Sequence, residues 1–429
     1  MKALRFEQLS LQGRDIIGGE QAAPGILLAS NYSNRTGYAW NNIHRLFVVL
    51  AREFHDRGHA VWVSFDELEP PVELEHQGAI DGFIEFPSRP RRIAELWTWL
   101  RTFRRLGIRI VYFTDHPQAH WRYALLRLFG VRRILVHNRI SVPDPRPAEP
   151  ARGLRGALKW LGCRMPFFAA DRVYAVSDFV RHRLVEKARF PADRVVTILN
   201  GVDLERFSPS GEESGSGGVN IFCGGRATPH KGVHVLIEAA AMLRRQEVSP
   251  DFVVRYAGDG PELDNLRQQV KARGLSGIFE FLGRVESTAS LVSEADIVVV
   301  PSTWGDACPS TIAEALACGK ALVATRVGGV PEQVGVPPAA VLVEPGDAAA
   351  LADSIAALVL EPARRLELAR VARARAEAAL DERSYHREVI AQVLRDCGRY
   401  GVTTAGRGRA SSRGPAGWPS RASRNRSDG

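Results

Sequence analysis

The 429-residue chain is poor in sulfur, with five cysteines and three methionines. Cys163, Cys223, Cys308, Cys318 and Cys397 are scattered, odd in number and lack a C-x-x-C pair. That leaves no framework for disulfides or a structural zinc site, and apolar flanks make Cys223 and Cys318 small core residues. Long hydrophobic runs are also missing: residues 1–23 have no apolar signal core, and no run nears the roughly 20 residues that span a bilayer. The expectation is a reducing, cytoplasmic location, in which the sequons at Asn31 and Asn34 have no meaning. Two phosphate-binding fingerprints are absent as well. Neither Lys231 nor Lys320 completes G-x-x-x-x-G-K-[ST], and the loop after residues 26–29 has one glycine rather than G-x-G-x-x-G. No D-x-D metal motif stands in a suitable loop.

What is present is the composition of a globular protein, 45% hydrophobic and 24% charged. This length exceeds one ordinary core and predicts two domains. The net charge of +9 favours anionic partners without choosing among nucleotides, acidic lipid and nucleic acid.

Apolar runs and helical periods alternate along the chain. Short strands are expected at 26–29, 60–63, 83–86, 109–113, 133–136, 172–176 and 195–199. Helices are expected at about 40–57 and 91–105. Residues 24–207 thus read as a mostly parallel α/β domain behind a 1–23 extension. The Gly/Ser-rich stretch 208–218 reads as a linker. A second alternating domain, 219–375, has strands at 220–223, 253–257, 278–282, 297–300, 321–324 and 340–343. Its helices are expected at about 234–245, 262–273, 286–294 and 310–317. Helical sequence runs on from 348 to about 399, with 376–400 set apart as a C-terminal helix. The tail 401–429 has six arginines and one acid and is expected to be disordered.

Two segments carry chemistry. In Gly224-Gly225-Arg226-Ala227-Thr228-Pro229-His230-Lys231-Gly232 a glycine-lined turn leads from strand to helix, so Arg226 and Lys231 can converge on a diphosphate. In the segment from Trp304 to Ala317, Asp306 lies in a loop and Glu314 a turn inside a helix that starts at Pro309 and Ser310, where the hydroxyl can cap. Carboxylates accept well from vicinal diols, so two of them can hold two sugar rings. Backbone N–H groups at the helix start can hold the phosphates between them.

These segments and their neighbours follow one another in a recognisable order: AVSDFVRHRL, ILNGVDLERFSP, GGRATPHKG, YAGDGPELDNL, FLGRV, EADIVVVPS, the Asp306-to-Glu314 motif, EALACGKALVATRVGGVPE and VEPGD. The chain resembles the retaining nucleotide-sugar glycosyltransferases of glycosyltransferase family 4, strongly over about 170–375 and weakly over 25–140. The resemblance implies the GT-B fold, two Rossmann-like parallel-sheet domains facing a central cleft, with the acceptor on the first and the donor on the second. It also implies that Arg226 and Lys231 grip the donor diphosphate and that Glu314 holds the ribose. Backbone from Ala307 through Cys308, Pro309 and Ser310 to Thr311, together with Gly225, would line sugar and phosphate, and Arg284 and Val285 would lie near the base. Asp306 stands where the family usually has Glu at the transferred sugar. Gly37 is what remains of a paired-glycine loop after the first strand, and His137 resembles the family's active-site histidine. Asp115 and His116 also sit at a strand end.

The implied function is metal-independent transfer, with retention, from a nucleoside diphosphate sugar to a carbohydrate or lipid-linked acceptor. No cofactor beyond the co-substrate and no specific nucleic acid are expected. A non-catalytic nucleotide-sugar-binding protein and another GT-B enzyme, such as a sugar-nucleotide epimerase, are the alternatives. The segment 88–109 has seven arginines against Glu95 and apolar residues Ile93, Leu96, Trp97 and Leu100 at helical spacing, with Trp99 and Phe103 beside them. It reads either as a helix packed on its own sheet or as one lying on an anionic membrane, which would place the protein peripherally on the inner face.

Overall fold

The computed structural model describes residues 24–32, 38–66, 77–85, 93–140, 153–209, 218–246 and 251–398. Gly37, the extension 1–23, most of the 208–218 stretch and the tail 401–429 lie outside the described residues.

The first sheet is built from β1 (Gly25–Ser30), β2 (Val61–Phe65), β3 (Gly82–Glu85), β4 (Ile108–Thr114), β5 (Arg133–Asn138), β6 (Arg172–Ala175) and β7 (Val195–Thr197). All pairings are parallel and the order is β3-β2-β1-β4-β5-β6-β7. Its helices are α1 (Tyr38–His55), α2 (Ile93–Arg105), α3 (Trp121–Leu128), α4 (Gly153–Arg164) and α5 (Asp178–His182). Strand positions alternate between two cores, because both faces of a parallel sheet are covered. Ile26 and Leu28 join Leu46, Phe47 and Phe54 of α1 on one face. Leu27 and Ala29 join residues of α2, α3 and α4 on the other.

The second sheet contains β8 (Val219–Gly224), β9 (Phe252–Ala257), β10 (Phe279–Gly283), β11 (Ile297–Val300), β12 (Ala321–Thr325) and β13 (Val341–Val343). It is also wholly parallel, in the order β10-β9-β8-β11-β12-β13. Around it lie α6 (Val233–Arg245), α7 (Leu263–Ala272), α8 (Ala289–Glu294), α9 (Ser310–Ala317), α10 (Val330–Val334), α11 (Ala348–Leu360), α12 (Pro362–Ala379) and α13 (Glu382–Cys397). Strand order reverses between β1 and β4 in one sheet and between β8 and β11 in the other. The crevice at such a reversal, beyond the carboxyl ends of the strands, is where open α/β sheets bind ligands.

Two local expectations change. The sequence from 348 to 397 is three helices, broken at Glu361 and again at Leu380 and Asp381, with Pro362 opening the second and Asp381 capping the third. α13 leaves the second sheet and packs on the first. Tyr385, Val389, Val393 and Cys397 are buried with Phe47, Tyr112 and Tyr174. Arg172 pairs with Asp396 at 2.9 Å, Tyr174 donates to Asp396 at 2.8 Å, and Arg45 pairs with Glu382 at 2.7 Å. The second change concerns α2. Trp99, Leu100 and Phe103 are buried against the sheet, while Trp97 points outward, 52% exposed. The helix therefore turns its main apolar side inward.

Because α13 completes the first core, Val389→Ala should destabilise the protein by about 2 kcal/mol. Urea unfolding followed by tryptophan fluorescence tests this, and an unchanged midpoint would show that α13 is dispensable to that core.

Candidate functional site

At the reversal in the second sheet, the loop after β8 is pinned by its neighbours. Gly225 N donates to Ala257 O at 3.0 Å, Ala227 N to Asp259 O at 2.9 Å, and Tyr256 Oη to Gly225 O at 2.6 Å. The loop passes so closely over the turn after β9 that a Cβ on Gly258 would stand 1.9 Å from Gly225 O, and one on Gly260 2.5 Å from Ala227 O. That contact is the physical content of the A-G-D-G motif.

A short turn, Pro229–Lys231, then ends at Gly232 in the left-handed region, φ 70°. A Cβ there would lie 1.8 Å from Pro301 O. Thr303 N donates to His230 O at 2.8 Å, and the His230 ring lies 4.1 Å from that of Trp304. These contacts zip the loop after β8 to the loop after β11.

Across the seam Lys231 Nζ meets Asp306 Oδ2 at 2.5 Å, with side-chain exposures of 26% and 6%. Asp306 also accepts from Ser302 Oγ at 3.3 Å. Its backbone is held by Gly329 N donating to Asp306 O at 2.9 Å, and a Cβ on Gly328 would stand 2.0 Å from that oxygen. The paired glycines of RVGGVPE therefore make room for the backbone of Asp306 and Ala307. Arg226, on the same loop as Lys231, is exposed, and among the described residues its side chain makes no ion pair or hydrogen bond.

Helix α9 begins just beyond. Pro309 is its N-cap residue and no side chain caps it, so the hydroxyl cap expected of Ser310 is not made. Ser310 is instead the first helical residue, and the end keeps N–H groups and a positive dipole turned to the cleft. Gln333, buried on α10, donates through Nε2 to Pro309 O at 3.2 Å and fixes this start. Glu314 is buried in the helix and accepts from Thr288 Oγ1 at 2.9 Å. Ala307 is buried, whereas Cys308 and Thr311 are half-buried. Burial pushes the Cys308 thiol up to about 12, which keeps it neutral. Arg284 is exposed after β10, and Val285 packs on the α9 side of the sheet. Asn42 and Arg45 of α1, Asn200, Ser310, Glu314 and Gln333 line one small cavity between the domains.

The first domain's strand ends form a second polar cluster. Asp115 adopts φ 55°, and such a left-handed non-glycine conformation costs about 1–3 kcal/mol. Its carboxylate accepts from Arg139 N at 2.6 Å and from Tyr32 Oη at 3.0 Å, and its carbonyl accepts from Asn31 Nδ2 at 3.0 Å. Burial raises its pKa. Asp115 therefore ties the ends of β1, β4 and β5 together. His116 stacks on Phe113 at 4.2 Å.

His137 is not delivered to the cleft surface. It is wholly buried, its Nδ1 lies 2.6 Å from Tyr112 Oη, and the Tyr174 and Tyr385 rings flank it. Burial, and then the charge of Arg139, hold it well below the usual histidine range, as a neutral imidazole. The group that strand β5 carries nearer the other domain is Arg139, which donates to Tyr385 Oη at 3.1 Å. No motif singles out Arg139.

The domains meet where α5 starts. Glu332 of α10 accepts from Asp178 N at 2.5 Å and from Phe179 N at 2.8 Å, capping a helix of the other domain. Gly305 is required beneath the Phe179 ring, which a Cβ would approach to 2.6 Å. Glu332 and Gly305 thus serve the domain junction, a role that reading the donor segment alone missed. The V-P-E string was its only signal.

Two outcomes follow. Gly232→Ala should lose about 2 kcal/mol or more of stability, because it combines a left-handed conformation with a backbone collision. A melting temperature equal to that of the parent would contradict this packing. The second concerns pH. Burial lowers His116 and His386 to about 4 and His137 well below its usual range. The unfolded chain takes up these protons near 6.5, so it binds more protons than the folded state in between, and stability falls as pH drops from about 6.5 toward 4. Asp115, Glu332 and Glu382, raised by burial, act in the opposite sense, so the difference between the parent and a histidine variant isolates the histidine contribution. Thermal melts across that range should show the fall, and His116→Gln should flatten it; a melting temperature independent of pH would contradict the assignment.

Comparison with known proteins agrees with this architecture. The family described as Glycosyl transferases group 1 matches residues 211–375, and Glycosyltransferase Family 4 matches residues 43–206. The D-inositol 3-phosphate glycosyltransferase of Arthrobacter sp. strain FB24 is 31% identical over 290 residues, covering 62% of this chain and 67% of the relative. Its namesake from Pseudarthrobacter chlorophenolicus is 32% identical over 244 residues, covering 52% and 57%. The chain spans about half the length of the first curated relatives it matches. Among solved structures, Anabaena HepE in complex with UDP superposes with a TM-score of 0.68 at 22% identity, covering 86% of this chain and 99% of HepE. With two parallel sheets whose reversal points face one another, and with both family signatures laid end to end, the chain belongs to glycosyltransferase family 4 and has the GT-B fold.

Proposed function

We propose that the protein transfers a sugar from a nucleoside diphosphate sugar to a carbohydrate or lipid-linked acceptor in glycan assembly, with retention of anomeric configuration. The observation that carries this reading is the Lys231–Asp306 pair standing beside the uncapped start of α9 at the reversal of the second sheet. A lysine, an exposed arginine and a helix N-terminus at one strand end are the set that a diphosphate needs. Relatives named as glycosyltransferases and a fold neighbour crystallised with UDP-glucose support the same ligand class.

In this reading Asp306 is the resting counterion of Lys231. The donor diphosphate takes over that lysine, which frees the carboxylate to accept from a hydroxyl of the transferred sugar. Glu314 holds the ribose and Arg284 and Val285 border the base. As the bond from the anomeric carbon to the phosphate oxygen breaks, its electron pair goes to the diphosphate. The acceptor oxygen bonds to that carbon from the same face, and its proton passes to the departing phosphate. Arg226, Lys231 and the α9 N–H groups stabilise the growing charge more in the transition state than in the bound donor. That assigns to fixed cations the electrostatic work a metal ion does elsewhere. His137 supports the wall of the acceptor side through Tyr112 instead of reacting itself.

Lys231→Ala and Glu314→Ala should each lower turnover, or hydrolysis of the donor, by about 100-fold or more, and EDTA should leave the parent's rate unchanged. A panel of nucleotide sugars, screened by thermal shift and then by product analysis, supplies the assay. Full activity in both variants would remove the site, and loss of activity in EDTA that added divalent ions restore would remove the metal-free mechanism.

A further inference from the structure

The face of the first domain formed by α3, α4 and the turn after α4 has an unusual surface. Leu158 and Leu161 lie about one turn apart on α4 and Met165 one turn beyond, and all three are exposed, Leu158 at 60%. Trp160 and Phe167 are exposed beside them. The patch continues onto α3. Ala119 bridges Ala169, and His120 N donates to Phe168 O at 2.7 Å, so the exposed Trp121 that opens α3 lies next to the Phe167 turn. Buried positions account for the other side of these helices, since Tyr123, Leu126 and Cys163 enter the core with α2. Soluble surfaces rarely leave this many large apolar side chains in one place without a partner.

The charge around the patch says what that partner is. From 117 to 133 and from 153 to 170 the sequence has seven basic residues and no acid. Arg127 and Arg133 are engaged by Asp171, but Arg122 and Arg164 lie over the rings of Trp121 and Trp160, at 5.6 and 4.4 Å from their centroids. An apolar stripe rimmed by arginine–tryptophan pairs puts its hydrocarbon inward and its cations at headgroup level. Two copies of such a face would repel one another, whereas an anionic leaflet attracts it.

We propose that this face docks the protein on the surface of an anionic bilayer, with α4 lying in the interface. The surface is distinct from α2, whose apolar side is packed on the sheet. It is also separate from the donor site, so it stands or falls independently of the sugar-transfer reading.

The test is flotation of the full chain with vesicles of phosphatidylcholine containing about one third phosphatidylglycerol, at about 0.1 M salt. Pure phosphatidylcholine is the control. Binding is expected to the mixed vesicles and to weaken as salt rises. The double variant Leu158→Glu and Leu161→Glu should bind at least about tenfold more weakly, with an unchanged melting temperature because both sites are exposed. Should that variant melt early, Arg122→Gln with Arg164→Gln gives the same readout through charge alone. No flotation of the parent, or equal flotation of the parent and a folded variant, overturns the proposal. So does a dimer in sedimentation that the Glu variant dissolves when the parent ignores vesicles, since the face would then join two copies.

Discussion

The contact between Lys231 and Asp306 organises the second domain, because it is the point where two separately built loops must agree. Neither loop can move alone. The one after β8 is hung on Ala257, Asp259 and Tyr256, and the one after β11 on Gly328, Gly329 and Thr325, whose Oγ1 donates to Ser302 O at 2.6 Å. A parallel sheet with a reversal between β8 and β11 brings the carboxyl ends of just these two strands side by side with no connection crossing between them. The crevice is thus a product of topology, and opposite charges meet across its two lips. Because Lys231 remains about a quarter exposed, a diphosphate can reach it without dismantling the pair's surroundings.

Much of this was legible from the chain. Short β-branched runs between helical periods mark the strands, and Ile297–Val300, apolar throughout, marks a strand buried on both faces. Once strands are parallel, a residue just after a strand is at the ligand-binding end, which places Arg226, Lys231 and Asp306 together without any coordinate. Glu314 follows from the helix start at Pro309. The glycines of A-G-D-G and R-V-G-G were visible as motifs. Their cause was not, because it is a backbone of another loop lying within 2–3 Å of a missing Cβ.

What stayed hidden depends on contacts far along the chain. His137 ends a strand, as a ligand-facing residue does, yet Tyr112 and Tyr174 on neighbouring strands and Tyr385, nearly 250 positions later, close over it. Glu332 follows a donor-side motif, but its carboxylate caps α5, more than 150 residues earlier. Periodicity also could not decide which way α2 faces. Trp97 and Trp99 are two residues apart between Leu96 and Leu100, so several orientations bury nearly the same apolar area. Packing on Ile108, Val111 and Ile134 selects the one that buries Trp99.

The return of α13 bears on how two half-sites can cooperate. The chain passes between the domains twice, at about Val202 and again at Leu380, where Val202 N donates to Leu380 O at 2.7 Å and Glu382 N to Val202 O at 3.0 Å. Both crossings therefore run side by side, and Gly201 lies so close to Glu382 that a Cβ would stand 2.5 Å from its Cα. A second tie is Glu332 on the start of α5, with Gly305 under the Phe179 ring beside it. Its carboxylate is half-buried, and desolvation raises its pKa despite two N–H donors. The paired crossings and the Glu332 cap thus tie the two sheets together at two separate places, one made of backbone hydrogen bonds and one of a carboxylate on backbone N–H groups.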